Sequence, residues 1–284
     1  MDKKLDFILK GREKSIGEET ILQPLPHKDF RFASPFIVLH HLPPKTYPPG
    51  SPPERIHPHP HRGFAPVTFQ FQGEGYHKDS LGNEGYLNAG EVQWMFAGKG
   101  LLHSEGPSKE FLAHGGTYEF VQLWVNVPAQ YKGEPAWYRQ AGPGEMPLMI
   151  RENGVDLHLA CGKYDTVQGP LYSYTPVIAA FGTVDKDSTF SIRATEGYWT
   201  LLYVLDGVLW INEQEVQSQH LLVFNKAGDV INIKATTDAK LVYLSGEPIE
   251  EPVAAKGNIV MNTVEEVQQA EKDYAEGRFW VLED

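Results

Sequence analysis

Two stretches of this chain repeat one plan, and few folds accommodate it. Residues 64–76 run as an apolar-rich strand into a glycine turn, a second turn sits at Leu81-Gly82-Asn83, and Gly90-Glu91 leads into Val92 and Trp94. Residues 198–211 and 221–230 follow the same order, with Asp206-Gly207 and Gly228-Asp229 as the turns. Each copy reads as strand, tight turn, strand, loop, and a Gly-acid turn into a further strand. A repeat on this scale predicts two similar β-domains rather than a solenoid, whose repeats are shorter. Asp206-Gly207 is itself a hairpin signal, because a type I′ turn needs positive φ at both central residues. The 27 glycines and 21 prolines, with little sustained helical periodicity, point to the same all-β class.

The expected boundaries are a first domain with its leading segment over residues 1–135, a linker over 136–147 marked by Gly142, Pro143 and Gly144, a second domain over 148–250, and a tail over 251–284. The proline-rich run 42–53 is an extended connector. Near the end, Thr263 followed three residues later by Glu266 predicts a capping box. Val264, Val267 and Tyr274 fall near one face of the short helix that follows, and Gly277 stops it.

The formal net charge of -12 disfavours phosphate-backbone binding, so no direct nucleic-acid contact is expected. A single cysteine, Cys161, rules out an intramolecular disulfide and suits a reducing compartment. With no run of about 18 apolar residues, a soluble cytoplasmic protein is the expectation.

Chemistry concentrates in two short segments, His57-Pro58-His59-Pro60-His61 and His103-Ser104-Glu105. Alternate residues of a strand share a face. His59 and His61 therefore form one pair, and His103 and Glu105 another. A hairpin about 40 residues long returns the second pair beside the first. Three imidazoles and one carboxylate suit Fe, Mn, Ni, Cu or Zn. Four protein ligands on a six-coordinate ion leave two positions open. His57 has the right parity but would sit about 13 Å from His61, so it belongs to the rim. His77 and the other histidines show no partner pattern and read as hydrogen-bonded structure. The second copy has no His-x-His; at the equivalent place the repeat puts Gly197-Tyr198-Trp199, so that domain is metal-free.

At these residues the chain resembles the pirin family of two-domain cupins. The matching words are His59-Pro60-His61-Arg62-Gly63-Phe64, Asp79-Ser80-Leu81-Gly82-Asn83, Gln93-Trp94-Met95, Ala97-Gly98-Lys99-Gly100, His103-Ser104-Glu105 and Gln122-Leu123-Trp124-Val125-Asn126. Val260-Met261-Asn262-Thr263 and Gly277-Arg278-Phe279 extend the likeness into the tail. The resemblance implies two tandem jelly-roll-like cupin β-barrels with a short C-terminal helix, and a tail that packs on the N-terminal domain. It also implies a non-haem Fe(II) site of His59, His61, His103 and Glu105, with Mn, Ni, Cu, Co or Zn as other occupants. Where pirins commonly have Glu-Thr after Gly-Phe, this chain has Ala65-Pro66, and Ala89 replaces the usual proline before the Gly-acid turn.

The activity implied is that of a flavonol 2,3-dioxygenase, which opens quercetin with O2. Glu105 would serve as general base toward the flavonol hydroxyl, with Gln93, Trp94 and Met95 as pocket or core residues. The alternative implied is an iron-dependent, redox-sensing regulator that binds a transcription factor or metabolic enzyme without turnover.

Overall fold

The computed structural model describes residues 1–17 and 19–282. The described residues are mostly strand, and two units separate within the chain. One comprises Met1–Lys14, Ile21–His41 and Ala141–Pro248; the other comprises Ser15–Thr20, Leu42–Gln140 and the segment from Ile249 on.

The first unit has a six-stranded sheet in the order Leu5–Lys10, His220–Phe224, Trp199–Asp206, Ala239–Gly246, Val177–Val184, Val155–Cys161. A four-stranded sheet in the order Thr189–Arg193, Val230–Ala235, Leu209–Ile211, Gln214–Val216 accompanies it. Leu202, Leu222 and Tyr243 of the larger sheet pack with Phe190, Ile192, Ile231 and Ile233 of the smaller. Each such aliphatic side chain, fully buried, contributes roughly 1.5–3 kcal/mol. Most of the leading segment, expected with residues 42–135, instead lies in this unit; Ser15–Thr20 belongs to the other. Leu5–Lys10 pairs antiparallel with His220–Phe224, which sets Leu9 opposite Leu221 and buries it.

The second unit repeats the arrangement. Its smaller sheet has the order Ile56–His61, Leu101–Pro107, Glu74–Asp79, Glu84–Asn88. Its larger sheet includes Trp137–Ala141, Val92–Phe96, Phe64–Gln72 and Gly116–Asn126, in that order. Part of the expected linker is thus a strand, because Tyr138 and Ala136 cover the buried Met95, Ala97 and Leu101. Pro66 lies within Phe64–Gln72, where the ladder to Val92–Phe96 covers only Val67, Thr68 and Phe69. Its missing N–H falls beside that ladder.

Asp206-Gly207 does not close a hairpin. Trp199–Asp206 lies in the larger sheet and Leu209–Ile211 in the smaller, so the turn carries the chain from sheet to sheet. Gly207 has φ +88°, and a Cβ there would meet Asp238 O at 2.3 Å. Asp206 keeps negative φ, which a type I′ turn does not allow.

The Val264–Ala275 helix starts as expected: the Thr263 side chain accepts from Glu266 N while the Glu266 carboxylate accepts from Thr263 N. Its buried face is Val267, Ala270 and Asp273, spaced by three; Val264 and Tyr274 are exposed. Asp273 is drawn inward by Arg62, whose Nη1 donates to Oδ2 at 2.6 Å. The preceding chain also meets the Arg62 backbone, with Val260 N donating to Arg62 O at 3.0 Å. Lys132 Nζ ties the same region together, donating to Gly63 O, Asn126 Oδ1 and Val260 O at 2.7–2.9 Å. Gly63 is obligatory there: its φ is +82°, and a Cβ would stand 2.1 Å from Val260 O. No helix among the described residues is long and apolar enough to cross a membrane.

Candidate metal centre

Antiparallel pairing of Leu101–Pro107 with Ile56–His61 sets His103 directly opposite His59 and Leu101 opposite His61. Strand alternation then turns all three imidazoles to one side. One ligand atom from each of His59, His61 and His103 lies within 4.8 Å of the others. His61 and His103 are buried, His59 is half-buried and His57 is exposed.

Hydrogen bonds decide which nitrogen each ring offers. His59 Nδ1 lies 2.8 Å from His57 O, an acceptor only, so Nδ1 carries the proton and Nε2 is left with its lone pair. His61 Nε2 faces His103 Nε2 at 2.9 Å. His61 Nδ1 is buried with no hydrogen-bond partner. Burial, reinforced by the neighbouring histidines, holds the pKa of His61 and of His103 well below the ordinary imidazole value. Both rings are therefore neutral at pH 7, the form that binds a metal.

This donor set fits a divalent ion. Metal–imidazole bonds of roughly 2.1 Å at a right angle put two ligand nitrogens about 3 Å apart, close to the spacing of the two Nε2 atoms.

Glu105 is not in this group. Both its carboxylate oxygens accept from Gln122 Nε2, at 2.9 and 3.0 Å. The register changes between His103 and Glu105: Glu105 sits opposite Ile56, so three residues of this strand face four of Ile56–His61. That bulge lies in Ile56–His61 and takes His57 out of step with His59. His103 and Glu105 keep their shared parity, because their pairing with Glu74–Asp79 runs unbroken, and it is the Gln122 amide that holds the carboxylate. Gln122 is in turn held by Trp124, whose Nε1 donates to Gln122 Oε1 at 3.4 Å. Trp124 and Phe64 also flank His61, with ring centroids 5.7 and 5.1 Å from its own.

Gln122 and His77 are the site residues that sequence reasoning missed. For Gln122 the only signal was its shared parity with Trp124 on Gly116–Asn126. For His77 it was the i, i+2 pair with Asp79, legible only once Glu74–Asp79 is known to lie beside Leu101–Pro107. Gln93 touches this network through His77, while Trp94 and Met95 are fully buried core.

Two β-sandwich units with the same strand order, one of them carrying an imidazole triad able to hold a metal ion, define a bicupin. The comparisons narrow this class. The pirin family model matches residues 17–125, and the model of the pirin C-terminal cupin domain matches residues 180–280. A pirin-like protein of Caulobacter vibrioides is 36% identical over 228 residues, covering 78% of this chain and 79% of that one. Pirin-1 of Arabidopsis thaliana is 34% identical over 223 residues, covering 76% and 75%. The crystal structure of a quercetin 2,3-dioxygenase from Acinetobacter baumannii superposes with a TM-score of 0.94 at 32% identity, covering 100% of both chains. This chain belongs to the pirin family.

Proposed function

We propose that the chain is a non-haem Fe(II) dioxygenase that opens a flavonol such as quercetin with O2. The observation that carries the reading is the convergence of three imidazoles from two paired strands, with a glutamate held close by, on a chain alike throughout to a solved protein titled quercetin 2,3-dioxygenase. His59, His61 and His103 would hold the ion. When bound, it would supply a Lewis acid that lowers the pKa of a coordinated hydroxyl.

The remaining work falls to the chain. Burial keeps His61 and His103 neutral, so the one proton between their facing Nε2 atoms has only to shift to His61 Nδ1, with no net loss, before both lone pairs can face the ion. Glu105 takes the proton of the flavonol 3-hydroxyl. Gln122 holds the carboxylate in place from both oxygens and supplies only N–H donors to them, which leaves it able to accept. Trp124 and Phe64 pack on each other beside His61 and keep water from that side of the site.

The test is anaerobic loading with Fe(II), then addition of quercetin and O2 while following flavonol absorbance and carbon monoxide release. The expected result is turnover that Glu105→Gln lowers by about 100-fold or more, with most of the iron retained. Turnover of Glu105→Gln at the wild-type rate would remove the base role. If that variant loses its iron, Glu105 is instead a fourth ligand. Iron-loaded protein that leaves quercetin untouched overturns the dioxygenase reading and favours a metal-dependent binding role.

A further inference from the structure

The three imidazoles differ in what stands behind them. His59 is backed by a backbone carbonyl, and His61 Nδ1 has no hydrogen-bond partner. His103 is backed by a second imidazole: its Nδ1 lies 3.4 Å from His77 Nδ1. His77 Nε2 in turn lies 3.5 Å from Asp79 Oδ2, within reach of charge attraction though not hydrogen-bonded. His77, Asp79 and His103 are each no more than 2% exposed, so bulk water does not compete for these contacts.

The direction of the chain follows from its two ends. Asp79 is fixed by the turn after it: Oδ1 accepts from Leu81 N and Asn83 N, and Oδ2 from Asn83 Nδ2, all at 2.8–3.0 Å. A carboxylate accepts only, so the His77 nitrogen facing it carries the proton. His77 Nδ1 is then an acceptor. Gln93 agrees, since its Nε2 donates to that same atom at 3.1 Å. His103 Nδ1 must accordingly be the N–H that shares this acceptor, which leaves the lone pair of His103 on Nε2, facing His61. The ring of Tyr138 stacks on His77 with centroids 5.0 Å apart and planes 25° apart, which fixes its tilt.

We infer that His77, anchored by Asp79, is a positioning residue that sets the tautomer and orientation of His103 as a metal ligand. The inference rests on the three-histidine site proposed above. Histidine ligands whose far nitrogen is bonded to an outer acceptor gain basicity and a fixed ring orientation, and losing that acceptor typically costs about 10–100-fold in metal affinity. Nothing comparable backs His61, so the effect should be particular to His103.

The experiment measures Fe(II) affinity anaerobically by competition with a chromophoric chelator, and the visible spectrum of the Co(II)-loaded protein. The proteins compared are the wild type, His77→Phe and His77→Gln. His77→Phe keeps a ring to stack on Tyr138 but no acceptor; His77→Gln restores an acceptor oxygen. The expected result is affinity about 10–100-fold weaker in His77→Phe, with an altered Co(II) spectrum, and recovery of most of both in His77→Gln. A purely structural role would instead lower the melting temperature of the metal-free protein without a selective change in the spectrum. His77→Phe binding within about twofold of the wild type overturns the inference, as does His77→Gln binding no better than His77→Phe. Wild-type protein that binds neither ion would overturn the metal site itself, a separate outcome.

Discussion

The two smaller sheets of this molecule have the same strand order and opposite chemistry. In one, Ile56–His61 lies beside Leu101–Pro107, and the paired inward positions carry His59, His61 and His103. In the other, Thr189–Arg193 lies beside Val230–Ala235, with Ile192 opposite Ile231 and Phe190 opposite Ile233. All four of these are buried in the apolar core of their unit. One framework thus presents imidazoles inward in one copy and closes its core with hydrocarbon in the other. The strand order places the counterpart of the histidine strand at Thr189–Arg193, not at Gly197-Tyr198-Trp199 as the sequence repeat suggested. The two sheets should therefore respond differently to the same kind of change.

The largest contrast is in stability. Ile192→Ala empties a fully buried site and should cost about 2–5 kcal/mol, read as a lower urea midpoint, with no change in bound metal. The same truncation at His61 should leave the metal-free protein far less affected. If His61→Ala destabilised the metal-free chain as much as Ile192→Ala, the imidazole would be a core residue and the contrast would fail.

A second, smaller contrast is in pH. His61 and His103 are held neutral in the folded chain, while unfolded histidine takes up a proton below about pH 6.5. The unfolded state then binds more protons, so the metal-free protein should lose stability as pH falls below that value and show no contribution from these groups above it. Denaturant midpoints of wild type and His61→Ala across pH 5–8 test the sign. A wild-type midpoint that rose on acidification relative to the variant would contradict it.

The smallest effect concerns Cys161, in the other unit from the histidine triad. Burial pushes its thiol up to about 12, so it is neither nucleophile nor ligand in the folded chain. A chromogenic disulfide reagent should label it only after unfolding. Prompt labelling of the native protein would show that this core opens.

How much of this was legible in the sequence depends on range. The i, i+2 spacing in His59 and His61 is local, and strand geometry alone turns it into a shared face. The capping box at Thr263 is local too. What depends on register was not legible. Leu5–Lys10 pairs with residues more than 200 positions away, and no local pattern in it says so. Glu105 shares parity with His103, but the amide of Gln122 decides where its carboxylate goes. His77 faces His103 because two strands align at His103 opposite Asp79 and Glu105 opposite His77. The helix face around Val267 was set by Arg62, which draws Asp273 inward where hydrophobicity would have placed Val264.

The most direct test of the account is the metal content of protein loaded anaerobically with Fe(II) and then desalted, for the wild type and the double variant His61→Ala, His103→Ala. The account predicts about one iron per chain in the wild type and almost none in the double variant. Iron retained by the double variant, or about two ions per wild-type chain, would contradict the assignment of a single metal centre to the histidine-bearing sheet.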